Sequence, residues 1–168
     1  MEGTTVKCIG CGTRLESRRG AHRAGDLGLP HVVLLNVEIR RCPSCGEEEV
    51  VIPRIEELKR TLAGLLIRKP AKLAGEEIRF LRKCLGWSGE GFARRAGVER
   101  ETVSRWENGR EKIGAAADRF LRLAIAHWQP VDDYEQEDLE KISARPLPAL
   151  QLRLRSGPRR WAQTPCHA

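Results

Sequence analysis

The stretch Ser88-Gly-Glu-Gly-Phe-Ala-Arg-Arg-Ala-Gly-Val-Glu-Arg-Glu-Thr-Val-Ser-Arg-Trp-Glu-Asn-Gly109 decides how this chain reads. Ser88 is a helix-capping residue and Gly97 a helix-ending one, so Gly89–Ala96 reads as one short helix. A second helix is predicted over Glu99–Asn108, stopped by Gly109. Phe92, Ala93, Ala96, Val98, Val103 and Trp106 form the apolar set. Ala93 is small where two helices must cross closely, and Gly97 permits the tight turn between them. Val103 and Trp106 are three apart and point the same way, into a core. The opposite face of that helix carries Glu101, Thr102, Arg105 and Asn108, with Arg100 beside it. Such side chains donate to and accept from base edges in a major groove. Arg110 and Lys112 follow where phosphates would pass.

Helices are also predicted on either side, over Glu76–Leu85 and Ile113–His127. Short helices separated by glycine make residues 68–130 an all-α domain, entered through a short basic linker at 68–72. Ile78, Leu81 and Leu85 set the buried face of its first helix, which Arg82 borders; Glu107 borders Val103 and Trp106. A carboxylate at that border needs a partner, and the forked guanidinium of Arg82 suits it, so Arg82 and Glu107 are expected to form a largely buried structural ion pair. The charge is also local. The chain carries +7, yet residues 1–67 hold ten Lys/Arg against nine Asp/Glu, and residues 131–168 hold six of each. Residues 68–130 hold fourteen against eight, so the excess sits in the helical segment. A basic field there fits either a solubilising surface or a polyanion partner, of which nucleic acid is the commonest in the cytosol.

Towards the N-terminus stand Cys8-Ile-Gly-Cys11 and Cys42-Pro-Ser-Cys45, each followed by glycine. One C-x-x-C turn supplies two adjacent corners of a tetrahedron, and two such turns close a four-thiolate zinc site. The intervening thirty residues have room for a strand and a loop. His31–Arg40 and Glu49–Ile52 read as strands around the second pair, and Pro53 ends the second strand. Ile55, Leu58, Leu62, Leu65 and Leu66 then mark an amphipathic helix over 55–67, stopped by Pro70. Unmetallated core thiols and a redox pair are the other readings of the cysteines; the strand-to-helix context of a redox C-x-x-C is missing. With four cysteines bound, one structural zinc per chain leaves no open position for substrate water, and no enzyme is expected. His22 and His31 read as loop and strand residues, and Cys84 as a small core residue.

Residues 131–168 combine an acidic run, Asp132 to Glu140, with Pro146, Pro148, Pro158, Pro165 and scattered arginine. They are expected to be a disordered tail. No stretch is apolar enough to span a bilayer and no secretory leader is visible, so a cytoplasmic protein with reduced thiols and no membrane partner is expected. The fold class is therefore α+β: a small zinc-binding β domain with four cysteine ligands at 1–67, then the helical domain at 68–130.

The segment 73–127, with Glu101-Thr-Val-Ser-Arg-Trp-Glu-Asn-Gly109 at its centre, resembles the phage-repressor-like (XRE-family) helix-turn-helix. Paired cysteines ahead of such a domain, with Leu73-Ala-Gly-Glu-Glu-Ile-Arg-Phe-Leu-Arg82 opening it, resemble the MqsA-like antitoxins and their YgiT-type zinc finger. The resemblance implies a homodimer that binds a palindromic double-stranded DNA operator and represses its own operon. It also implies a partner toxin, commonly an mRNA-cutting ribonuclease, held through the zinc-bearing half. It places Arg100, Glu101 and Arg105 towards the bases and pairs Arg82 with Glu107. The chain departs from the family pattern at Ala74, Gly89, Gly91 and Glu99, which removes Gly89 from the phosphate contacts. The competing reading is a zinc-ribbon interaction protein that neutralises or docks a partner and whose DNA binding is vestigial.

Overall fold

The computed structural model describes residues 6–128, 142 and 150–165. Three strands come first, β1 (Glu16–Arg23), β2 (Val32–Arg41) and β3 (Glu48–Val51). Five helices follow: α1 (Ile55–Ile67), α2 (Gly75–Cys84), α3 (Gly89–Ala96), α4 (Arg100–Glu107) and α5 (Ala115–Trp128). Two more strands, β4 (Leu152–Ser156) and β5 (Trp161–Gln163), return to the sheet. The class is α+β, with a mixed sheet and a helical half.

β2 organises the sheet. One of its edges pairs antiparallel with β1. The other edge takes β4 in parallel along Val32–Leu35 and β3 antiparallel along Glu38–Arg41. Asn36 sits at the changeover with a φ of 59°. Its side-chain amide donates to the Ser156 carbonyl at 2.8 Å. The extra residue shifts the alternation, so Val32 and Leu34 point inward before it and Val37 and Ile39 after it. Asparagine tolerates the left-handed region better than most residues, because its short amide can hydrogen-bond locally.

Leu58, Leu62, Ala63, Leu66 and Ile67 of α1 are all buried. They belong to one continuous apolar cluster that runs from the inner face of the sheet to Phe92, Trp106 and Ile125 of the helical half. Within the segment at 68–72, expected as a linker, Lys69 and Ala71 are buried. Arg122 of α5, fully buried, donates to the carbonyls of Ile67, Lys69 and Ala71 at 2.6–2.7 Å. Its Nε donates to Asp118 Oδ2 at 2.9 Å, and Asp118 Oδ1 accepts the Leu73 N–H at 2.9 Å. Lys69, also buried, donates to both oxygens of Glu77 at 2.9 and 3.0 Å. Glu77 in turn accepts the Ala74 N–H at 2.7 Å and so caps α2, a task that the alanine side chain cannot do.

The disordered tail expected over 131–168 needs correction for residues 150–165. Leu152, Leu154 and Ser156 are buried and alternate with exposed Arg153 and Arg155, a strand period. Trp161 is buried against α1, its ring N–H donating to the Pro53 carbonyl at 3.1 Å and its backbone N–H to Glu57 Oε1 at 3.1 Å. The acidic run at 132–140 and Pro146 and Pro148 lie outside the described residues.

Candidate nucleic-acid interface and metal centre

The helical interface is built from α3 and α4. Ser88 Oγ accepts the Gly91 N–H at 2.9 Å and starts α3. Gly97 ends it with a φ of 66°, which a residue bearing a Cβ resists, and the Val98 N–H closes the turn on the Ala93 carbonyl at 3.0 Å. α4 opens after an extended Glu99 whose side chain makes no cap. Val103 and Trp106 bury the inner face of α4 against Phe92 and Ala93. Gly75 lets the start of α2 approach the end of α4: a Cβ there would meet the Trp106 and Glu107 carbonyls at 2.7 Å. Beside this contact Arg82 grips Glu107, at 2.5 Å from Nε to Oε1 and 3.1 Å from Nη2 to Oε2. The two side chains are 12% and 9% exposed. Arg79 adds a second cation on Glu107 Oε2 at 3.3 Å, a partner that periodicity alone does not single out.

The outer face of α4 presents Arg100, Glu101 and Arg105 to solvent, with Thr102 half-buried; Arg110 and Lys112 are exposed just beyond. These residues share one surface. Arg105 is held on it by two neighbours, its Nε donating to Glu111 at 2.9 Å and its Nη2 to the Thr102 hydroxyl at 2.9 Å. Asn108 lies at the end of the helix and spends its amide locally. Its Oδ1 accepts from Arg79 at 2.8 Å and its Nδ2 donates to the Ser104 carbonyl at 2.9 Å. Asn108 thus braces the end of α4 while staying exposed.

The four cysteines meet at the end of the sheet. Their sulfurs lie within 4.8 Å of one another, with Cys8 and Cys42 buried and Cys11 and Cys45 exposed. The two C-x-x-C turns have the same construction. Gly12 N–H returns to the Cys8 carbonyl at 2.9 Å and Gly46 N–H to the Cys42 carbonyl at 3.0 Å. Both glycines are in the left-handed region, at 73° and 78°. Cys8 and Cys45 sulfurs are 3.5 Å apart, Cys11 and Cys42 3.4 Å, and Cys11 and Cys45 3.7 Å. Four sulfurs about 2.3 Å from one ion sit about 3.8 Å apart at tetrahedral corners, so the donor set and spacing fit a metal ion. Hydrogen bonding with the Thr13 side chain and backbone draws the Cys11 thiol down to about 6. At Cys45 the Glu47 backbone N–H also lowers the thiol, but Cys42, Cys8 and Cys11 outweigh it and push it up to about 12. Four thiolates so close repel unless a cation sits between them. His22 instead approaches Asp26 at 3.3 Å, and His31 approaches Glu76 at 3.4 Å.

A helix-turn-helix family matches residues 78–126. That span runs from within α2 to within α5 and contains the whole of α3, the turn and α4. A helix-turn-helix match over this segment points to DNA binding in transcription regulation. No curated protein and no solved structure matches the chain. No helix among the described residues is long and apolar enough to cross a membrane.

Proposed function

We propose that the chain is a sequence-specific transcriptional repressor in which α4 enters the major groove of a double-stranded DNA operator. The observation that carries this is the two-sided character of α4. Its inner side is pinned by Val103, Trp106 and the Arg82–Glu107 pair, while Arg100, Glu101 and Arg105 stand free of the core on the other. A rigid helix with exposed forked donors and a carboxylate acceptor suits base-edge readout. Arg105 reads a guanine, Glu101 accepts from a cytosine amino group, Arg100 and Thr102 extend the contact, and Arg110 and Lys112 hold phosphates. Asn108, exposed at the end of the helix, extends the contact once its amide turns from Arg79 and Ser104 to the DNA. The Arg105–Glu111 pair must open on binding, which disfavours sites that offer Arg105 no acceptor.

The metal in this account is one structural zinc on Cys8, Cys11, Cys42 and Cys45, in a closed shell with no catalytic position. Zinc holds the two cysteine turns together, and the chain performs no catalysis. The protein acts as a homodimer in the cytoplasm on paired half-sites, as the antitoxin of a toxin–antitoxin operon whose toxin is a ribonuclease. Mobility-shift assays on the DNA upstream of its own reading frame, with wild type and Arg105→Ala, test the repressor reading. Copurification of the neighbouring gene product tests the antitoxin reading. DNA binding without any toxin partner leaves a plain repressor; a captured toxin with no DNA binding leaves the interaction protein.

A further inference from the structure

The outward face of the sheet is basic. Along β4 the inward positions are Leu152, Leu154 and Ser156, and the outward ones are Arg153 and Arg155. The register places Arg153 beside Val33 and Arg155 beside Leu35, and Val33 is flanked on its other side by Arg23 of β1. Partners in register point to the same face, so Arg23, Arg153 and Arg155 surround two half-buried aliphatic side chains. Residues 150–165 contain four arginines and no Asp or Glu. Among the described residues, the side chains of Arg23, Arg153 and Arg155 have no hydrogen-bond or ion-pair partner. Glu38, on the same face, is already engaged by Arg40 at 2.8 Å and by the Ser17 hydroxyl at 2.8 Å.

Arginines on an edge strand are commonly a guard against unwanted strand pairing. That explanation does not apply to β4, which lies between β2 and β5 with both sides paired. Arg153 and Arg155 are two residues apart on one strand, so their side chains leave the sheet in parallel, about 6.6 Å apart at the backbone. Unneutralised guanidinium groups in such a row suit a repeated anion.

We propose that this face is a second, sequence-independent contact for a nucleic-acid phosphate backbone, separate from α4. The choice of nucleic acid over an acidic protein rests on the DNA-binding reading of α4, and the charge of the face stands without it. The test uses the full chain and a random-sequence DNA duplex of about three helical turns, with affinity followed against salt. Each phosphate contact contributes about 0.9 to the slope of log affinity against log salt. Arg153→Gln with Arg155→Gln should lower that slope by up to about 1.8. Both side chains are exposed, so the melting temperature should hold. Arg110→Ala, measured in parallel, reports on the phosphate contact beside α4. If Arg110→Ala keeps the wild-type slope while the sheet variant lowers it, the helix reading loses its phosphate contact and the sheet proposal stands. A sheet variant with wild-type slope and affinity overturns the proposal, as does a wild-type chain that does not bind the duplex at low salt. Lost binding to polyglutamate with unchanged duplex binding would assign the face to an acidic protein and also overturn it.

Discussion

Arg82 and Glu107 join the first helix of the helical half to the end of α4 through a two-point contact, Nε to Oε1 at 2.5 Å and Nη2 to Oε2 at 3.1 Å. The arrangement is asymmetric, because Arg79 also reaches Glu107 at 3.3 Å. Glu107→Ala strands a mostly buried guanidinium and should cost about 3–5 kcal/mol. Arg82→Ala leaves Arg79 in place and should cost less, about 1.5–3 kcal/mol, the scale of a charged hydrogen bond. Denaturant unfolding of both single variants and the double variant measures this. A coupling energy near zero would mean that the pair does not act as its geometry indicates.

The buried Asp118–Arg122 network should be among the most sensitive places in the chain. Arg122→Met keeps much of the volume but removes the donors to the Ile67, Lys69 and Ala71 carbonyls and leaves Asp118 with only the Leu73 N–H. A loss of about 3–5 kcal/mol is expected, with amide exchange rising first over 67–74. Unchanged stability would show that the segment between the sheet and the helices is held by apolar packing alone.

The metal centre predicts one zinc per chain by elemental analysis. Cys42→Ser should release it and loosen residues 6–15 and 42–51, read by hydrogen exchange. The far end of β2 should persist, because Val32 and Leu34 pack with Leu152 and Leu154 in the shared core. Metal-free protein whose exchange does not respond to added zinc would refute the site. Cys84 provides an internal contrast. Burial pushes its thiol up to about 11, so at neutral pH it stays protonated and should alkylate slowly with or without metal. Its alkylation should accelerate only as the pH climbs towards 11.

What can be read from the sequence follows the range of the interaction. The ends of α3, the Gly97 turn and the inward Val103 and Trp106 depend on neighbours a few residues away, and spacing displays them. The cysteine pairs declare themselves because metal chemistry fixes their spacing. β1 is not legible, because Glu16–Arg23 is mostly exposed and carries no apolar alternation. β4 does alternate, but for only five residues among prolines and arginines, and its partner β2 lies more than a hundred residues earlier. Lys69, Glu77, Asp118 and Arg122 look like ordinary surface charges along the chain. Only the fold, which brings α5 against residues 67–73, makes them a buried network. Asn108 reads as a base contact because it lies on the outer face, and nothing local shows that Arg79 also bonds it.

If α4 reads DNA sequence through Arg105, that one side chain must decide which duplexes the protein keeps. Repeated selection of bound duplexes from a random library, with the wild-type chain and with Arg105→Ala, tests this most directly. The wild type should enrich a palindrome with half-sites about one helical turn apart. Arg105→Ala should lose about 1–3 kcal/mol on that site and relax the preference at a single base pair, a guanine. A library that yields no shared sequence, or an Arg105→Ala variant that selects the same site with the same affinity, would contradict the account.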